Sequence, residues 1–376
     1  MDENTKNTTV KPRRKRLTKV VFYIMAFLLL ATTCMCGFIT YNIIKNDSSD
    51  NKNEITNTQT PSEPTTDAST PVIDGYTLIS DEMLASIKDE SYYLGRDNLL
   101  TSIKNMMENG STTLKMLRAI YPEYLIYSDK DGYVFKDINK DLIMNDYDKS
   151  GFKIEKDDND IPTKVEYFED DKLVSYTGID VSKHNGNIDW SKVAKSNIDF
   201  AIIRAAVRGY GTEGRLLPDE NFEKNAKAAI ENGITVGAYI FSEAITVEEA
   251  IEEAELILSL IEPYKIKGPV VIDIEDIQND TGRNEALSPK ELTDIVLTFC
   301  DKIKEKGYTP MIYCNLKGFI GMLEFERLEG IEKWYAYYGD ELYFPYDVSI
   351  WQYTSSGKVD GVDGVVDLNI SFKKYE

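Results

Sequence analysis

Two carboxylates near the end of one hydrophobic segment are the strongest sign of chemistry in this sequence. Residues 269–276 read PVVIDIED, and a run of Val and Ile is typical of a strand that is buried on both faces. Asp273 and Glu275 are two positions apart, so both side chains are predicted to point to the same side, with Cβ atoms roughly 6.5–7 Å apart. Like charges this close raise the pKa of at least one group. Such a pair suits glycoside hydrolysis, in which one carboxyl is a protonated acid and the other stabilises positive charge on the sugar.

Two more acids occupy comparable positions in other hydrophobic segments. Asp180 lies in GIDVSKHNG, and Asp367 lies in GVVDLN. Both are predicted to lie at the ends of strands, and in a barrel the carboxyl ends of the strands form the active-site face. We therefore expect Asp180, Asp273, Glu275 and Asp367 to meet at one face.

The composition disfavours several other hydrolytic mechanisms. His184 is the only histidine among 376 residues, whereas zinc hydrolases as a rule need two or three histidine ligands. In a Ser or Cys hydrolase only His184 could serve as the base. Acid–base chemistry is therefore predicted to use Asp and Glu, with no metal and no organic cofactor. The net charge of −21 disfavours nucleic acid as a partner.

Aromatic residues in or near the predicted strands could form a sugar-binding groove, because their faces stack on the apolar faces of sugar rings. An aromatic residue in a strand more often belongs to the core, so we expect only about half of them to contact a ligand. The candidates are Tyr239, Phe241, Tyr313, Trp334, Tyr338, Trp351 and Tyr353.

The elements that must position these residues follow one another from 176 to 376 as strand and helix in alternation. Helices are predicted over 221–233, 246–263 and 288–307, whereas the later connections are short and poorly helical. This order predicts an α/β fold, an irregular TIM-like β/α barrel. The eight predicted strands are 176–182, 199–206, 235–242, 269–275, 309–315, 333–339, 348–355 and 364–371.

The preceding residues, 74–175, are predicted to form a small α+β domain of unknown role. Residues 81–110 have helical spacing of apolar residues. The pair Asp131-Gly132 and the run 169–171 each separate two strand-like segments, as in β-hairpins. This part contains no catalytic motif.

The N-terminal residues predict a membrane anchor. Residues 11–19 read KPRRKRLTK, and residues 20–44 contain no charged side chain over 25 positions, which suffices for a transmembrane helix. The basic flank places residues 1–19 in the cytoplasm and the catalytic part outside the cell membrane. A cleaved signal peptide is the alternative. Residues 45–73 are polar and predict a flexible stalk.

Residues 177–376 resemble the muramidases of glycoside hydrolase family 25. The segments that carry the resemblance are GIDVSKHNG, DFAIIRAA, VGAYIFSEAITVEEAIEEAE, PVVIDIED, LTDIVLTFCDKIKEKGYTPMIYCN, WYAYY and WQYTSSGKVDGVDGVVDLN. They occur in the family's order and include all eight predicted strands.

The resemblance implies cleavage of the β-1,4 bond between N-acetylmuramic acid and N-acetylglucosamine in peptidoglycan glycan strands. It implies that Glu275 is the general acid and that Asp273 orients or stabilises the acetamido group of the substrate. Asp180 and Asp367 would tune Glu275 and bind sugar. Two alternatives stay open: a cell-wall-binding protein that uses the barrel groove without turnover, and a glycosidase for another N-acetylated polymer such as chitin.

Overall fold

A computed structural model describes residues 80–209, 211–276, 282–339 and 341–376. The predicted cytoplasmic segment, membrane span and stalk lie outside these residues. Within the described ranges, no helix combines the length and the apolar character that crossing a bilayer requires. Residues 85–376 form one compact unit.

The first described elements are two helices, α1 (Asp81–Glu108) and α2 (Thr113–Ile120). All side chains of α1 are at least partly exposed. The α2 helix begins after Thr112, whose side chain accepts a hydrogen bond from the backbone N–H of Lys115, and this N-cap satisfies one of the free amides of the first turn.

Two small antiparallel sheets follow, and they confirm the predicted hairpins. The tight turn between the last two of their strands contains Asp170 and Asp171 at φ 48° and 60°, which are the left-handed conformations that a two-residue hairpin turn needs. One sheet contains β1 (Tyr124–Asp129) and β2 (Gly132–Asp137), and the other contains β3 (Phe152–Lys156), β4 (Pro162–Glu169) and β5 (Lys172–Leu173).

A closed barrel of eight strands forms the rest of the unit and confirms the predicted strand segments. Six neighbouring pairs are parallel, and the last strand runs antiparallel to both of its neighbours, which makes the barrel irregular. The strands are β6 (Tyr176–Val181), β7 (Phe200–Arg208), β9 (Thr235–Phe241), β10 (Val270–Asp273), β11 (Pro310–Asn315), β12 (Glu332–Ala336), β13 (Ile350–Gly357) and β14 (Val366–Ser371), while β8 (Leu216–Pro218) pairs with β7 outside the barrel.

Helices cover only the first part of the barrel. The helix Val247–Ile261 begins after its cap Thr246, and the helix Pro289–Glu305 begins after Ser288, which forms a capping box with Glu291; Thr and Ser are preferred at this position. After β11, the described connections contain only a π-helix, Gly318–Met322, and a 3-10 turn, Phe325–Leu328. The helices are α3 (Trp190–Val193), α4 (Phe222–Glu231), α5 (Val247–Ile261) and α6 (Pro289–Glu305).

The sheet of β3 to β5 covers the side of the barrel that lacks helices. Strand β4 packs against β13, β14 and β6, and its Val165 and Tyr167 are buried in the same hydrophobic core as the barrel. The ring of Phe152 lies 5.9 Å from that of Trp351 in an edge-to-face contact. Because an apolar outer face of a sheet must be covered, this sheet occupies the position that helices hold in a regular β/α barrel.

Candidate active site

The barrel brings the four predicted acids to one cavity. Asp180 lies on β6, Asp273 is the last residue of β10, and Glu275 follows two residues later. Asp367 lies at the start of β14 rather than at its end, and it still reaches this face because β14 is antiparallel and pairs Asp367 with Asp180. All four line a cavity of about 160 Å³, the acidic cavity.

Amide and hydroxyl groups orient the acid on β6. Asp180 Oδ2 accepts hydrogen bonds from Gln352 Nε2 and Asn369 Nδ2, both at 2.8 Å. The Oε1 atom of Gln352 in turn accepts from the hydroxyl groups of Tyr313 at 2.9 Å and Tyr338 at 2.8 Å. Asp180, Gln352 and Asn369 are all buried, so these hydrogen bonds hold the carboxylate in one orientation.

Burial raises the pKa of every acid in the cavity. It raises the pKa values of Asp180 and Asp273 well above the ordinary range, with further contributions from the charge of Asp367 at Asp180 and of Glu275 at Asp273. Burial also raises the pKa of Asp367, to about 6. The pKa of Glu275 is raised by burial and partly lowered by the Tyr313 hydroxyl, whose single proton can serve either Glu275 or Gln352. The site therefore favours protonated carboxyls.

One carboxylate oxygen in the acidic cavity has no hydrogen-bond donor among the described residues. It is the buried Oδ1 atom of Asp273, on a residue that is 6% exposed. A buried acceptor without a donor is costly, so this position favours a ligand that brings an N–H or O–H group.

Residues 179–362 match the sequence model of the family described as "Glycosyl hydrolases family 25". The chain is also 32% identical over 218 residues to the "Uncharacterized protein YegX" of Escherichia coli (strain K12), and the alignment covers 52% of this chain and 70% of that protein. The chain belongs to glycosyl hydrolase family 25.

Lysozyme M1 of Streptomyces globisporus is 29% identical over 209 residues, covering 51% of this chain and 66% of that one. The autolytic lysozyme of Clostridium acetobutylicum is 24% identical over 198 residues, covering 51% and 54%. The chain is therefore an enzyme, a glycoside hydrolase of the muramidase type.

Five of the seven candidate aromatic residues lie at this family 25 site. Four of them line the acidic cavity: Tyr239, Tyr313, Trp334 and Tyr338. The rings of Tyr313 and Trp334 are 4.6 Å apart in an edge-to-face contact, and Trp334 Nε1 donates to Asn369 Oδ1 at 2.8 Å. Phe241 lines the larger groove that adjoins the cavity.

The other two candidates, Trp351 and Tyr353, do not reach the site. Both are 0% exposed and belong to the core on the outer side of the barrel, where Trp351 Nε1 donates to the backbone oxygen of Tyr337 at 2.8 Å. Side chains alternate along a strand, so these two residues face the β3 to β5 sheet while Gln352 between them faces inward. Their predicted role in substrate binding is therefore wrong, and both residues pack the core.

Gln352 and Asn369 are site residues that no prediction from the sequence included. The sequence pattern that could have indicated them is an uncharged polar residue inside an otherwise apolar strand. Each of the two is directly flanked by apolar residues that face outward. Such residues are buried only when they have partners, and here the shared partner is Asp180.

The single histidine takes no part in the acidic cavity. His184 is exposed in a 3-10 turn, Lys183–Asn185, and it is not among the cavity's lining residues. Within the described ranges, no three His, Cys, Asp or Glu side chains are arranged to hold a metal ion.

Proposed function

We propose that this protein is an N-acetylmuramidase that cleaves the β-1,4 bond between N-acetylmuramic acid and N-acetylglucosamine in peptidoglycan. The observation that carries the proposal is the pairing of Glu275 with Asp273 in one buried, carboxyl-rich cavity inside a family 25 barrel. The names of the lysozyme relatives agree with this substrate.

Glu275 is proposed as the general acid that protonates the leaving oxygen. Its pKa is raised by burial, and a carboxyl that keeps its proton near neutral pH suits this task. Glu275 also lines both the acidic cavity and the adjoining groove, so a glycan lying along the groove would pass it.

Asp273 is proposed as the partner that orients the acetamido group of the substrate. Its buried Oδ1 atom has no donor among the described residues, and an acetamido N–H group would supply one. Asp180 and Asp367 are proposed to complete the acidic ring of the cavity, where they would tune Glu275 and bind sugar.

We further propose that residues 20–44 anchor the enzyme in the cell membrane, with the barrel outside. The support is the uncharged run of 25 residues behind a basic segment. A tether of this kind would restrict cleavage to wall that lies near the membrane. The full chain should then stay with membranes through an alkaline carbonate wash, and its release by that wash would refute the anchor.

The test of the catalytic proposal is a digest of purified peptidoglycan with the full chain in mild detergent. The products are reduced, and the new reducing-end sugar is identified by mass. We expect reduced muramic acid ends, and we expect Glu275→Gln to lose a factor of about 10²–10⁴ in rate because the general acid is gone. Glu305→Gln, an exposed position at the end of α6, is the matched control and should match the wild type.

Other outcomes distinguish the alternatives. Reduced glucosamine ends would keep the hydrolase and change the bond that is cleaved. If the wild type sediments with the wall but neither it nor Glu275→Gln produces new reducing ends, the wall-binding alternative is favoured. Cleavage of chitin in preference to peptidoglycan would favour a glycosidase for another N-acetylated polymer.

A further inference from the structure

The acidic cavity opens into a larger groove whose far wall does not come from the barrel. The groove has a volume of about 790 Å³ and shares Glu275, Tyr313 and Tyr338 with the acidic cavity. Its other side includes Arg118 of α2 and Tyr127 of β1. The segment 113–129, which we call the N-terminal wall, thus borders the same space as the proposed general acid.

Specific contacts hold the N-terminal wall against the barrel. Lys317 Nζ lies 3.0 Å from Asp129 Oδ1 and 2.7 Å from Asp276 Oδ2. Asp276 directly follows Glu275, so this lysine connects the wall to the segment that carries the general acid. Tyr127 is 8% exposed, and its hydroxyl lies so close to Gly321 that a Cβ atom there would be 2.6 Å away.

Arg118 is held in place by neutral groups. Its Nε atom donates to the backbone oxygen of Ile126 at 2.9 Å, and an Nη atom donates to the Tyr337 hydroxyl at 2.9 Å. The guanidinium lies 4.0 Å from the centre of the Tyr343 ring. These contacts orient the guanidinium without neutralising its charge.

The two basic side chains that line the groove, Arg118 and Lys317, therefore differ in whether a carboxylate neutralises them. Lys317 is neutralised by two carboxylates, whereas no carboxylate among the described residues pairs with Arg118. In a chain of net charge −21, an oriented and uncompensated guanidinium beside a substrate groove favours an anionic ligand group, above all a carboxylate.

We propose that Arg118 binds a carboxylate of the stem peptide that muramic acid carries in peptidoglycan. The inference rests on the proposed function. The N-acetylated sugars of the glycan are uncharged where the lactyl group is joined to peptide, so the free carboxylates of the substrate lie on the peptide. The N-terminal wall would then make the enzyme select peptide-bearing glycan, and Arg118 is a specificity residue rather than a catalytic one.

The test compares soluble peptidoglycan fragments with the same fragments after their carboxylates have been converted to amides. For the wild type, we expect amidation to raise KM roughly tenfold with little change in kcat, since a charge-assisted hydrogen bond is lost. Arg118→Gln should raise KM roughly tenfold on the native fragments and show no difference between the two substrates. Arg118→Lys should restore part of the preference because it keeps the charge.

A structural role for Arg118 would give a different pattern. It would impair both substrates equally, lower the Tm and leave Arg118→Lys as poor as Arg118→Gln, and this pattern would overturn the proposal. So would an Arg118→Gln variant that keeps the wild-type preference for carboxylates. The matched control is Arg215→Gln, because Arg215 is exposed and, among the described residues, its side chain pairs with the exposed Glu213.

A binding measurement separates this inference from the proposed function. Glu275→Gln and the Glu275→Gln/Arg118→Gln double variant are sedimented with native and with amidated cell walls. Weaker binding of the double variant to native walls alone supports the inference even if the wild type cleaves neither substrate. Equal binding of both proteins to both walls overturns it even if the wild type is an active muramidase.

Discussion

The raised pKa of Asp367 should make the free energy of unfolding depend on pH. Burial raises the pKa of this carboxyl from an ordinary 3.8 to about 6 in the folded protein. The folded state therefore holds the proton more tightly than the unfolded state does. As the pH rises from 3.8 to 6, the unfolded chain releases its proton first, so the free energy of unfolding falls across this window. Below it, the carboxyl is protonated in both states and this cost is absent.

The magnitude follows from the pKa difference. At about 1.4 kcal/mol for each tenfold change in proton affinity, the ionised carboxyl costs the folded state about 3 kcal/mol above pH 6. Asp367→Asn removes the ionisable group and keeps its shape. We expect the variant to be about 2–3 kcal/mol more stable than the wild type at pH 7 and nearly equal to it at pH 3.5. Its activity should fall, because Asp367 lines the acidic cavity and is proposed to act on the substrate.

Urea denaturation of both proteins between pH 3.5 and 7.5 measures the effect. The quantity of interest is the difference between the two proteins in free energy of unfolding at each pH, because the titration of most other acids contributes equally to both. The Asp180 contribution does not cancel but has the same sign, since the charge of Asp367 raises the pKa of Asp180. Asp363→Asn, an exposed position just before β14, is the control. A variant with the same stability advantage at pH 3.5 and pH 7 would refute the electrostatic explanation.

Two further substitutions test the assignment of the barrel faces. Gln352→Leu removes one of the two amide donors to Asp180, so the pKa of that carboxyl should rise further. We expect kcat/KM on soluble peptidoglycan fragments to fall about tenfold or more. An unchanged kcat/KM would contradict the role of this hydrogen-bond network in the site. Trp351→Ala should reduce the free energy of unfolding in urea by about 3–5 kcal/mol, because a fully buried ring is lost, and should leave KM unchanged. A changed KM with unchanged stability would mean that the ring faces the substrate.

Local features of the sequence were sufficient for most of the barrel's elements. The caps Thr246 and Ser288 and the runs of Val and Ile predict helix starts and strands because these preferences act over a few residues. The positions of Asp180 and Asp273 followed in the same way, since β6 and β10 are parallel strands whose ends lie at one face. Asp367 reached the cavity by a route that local features do not reveal, because the direction of β14 depends on which strands it pairs with.

The sequence by itself determined the order of strands and helices, the acidic character of the site and the presence of only one histidine, because these depend on residue type and short-range spacing. Tertiary structure decided which face of β13 points inward. Alternation predicts that Gln352 faces away from Trp351 and Tyr353, but only the sheet packed on the outer side shows which of them is covered. It also decided that Arg118 lies in the same groove as Glu275, since two segments so distant in the chain meet only when the whole unit folds.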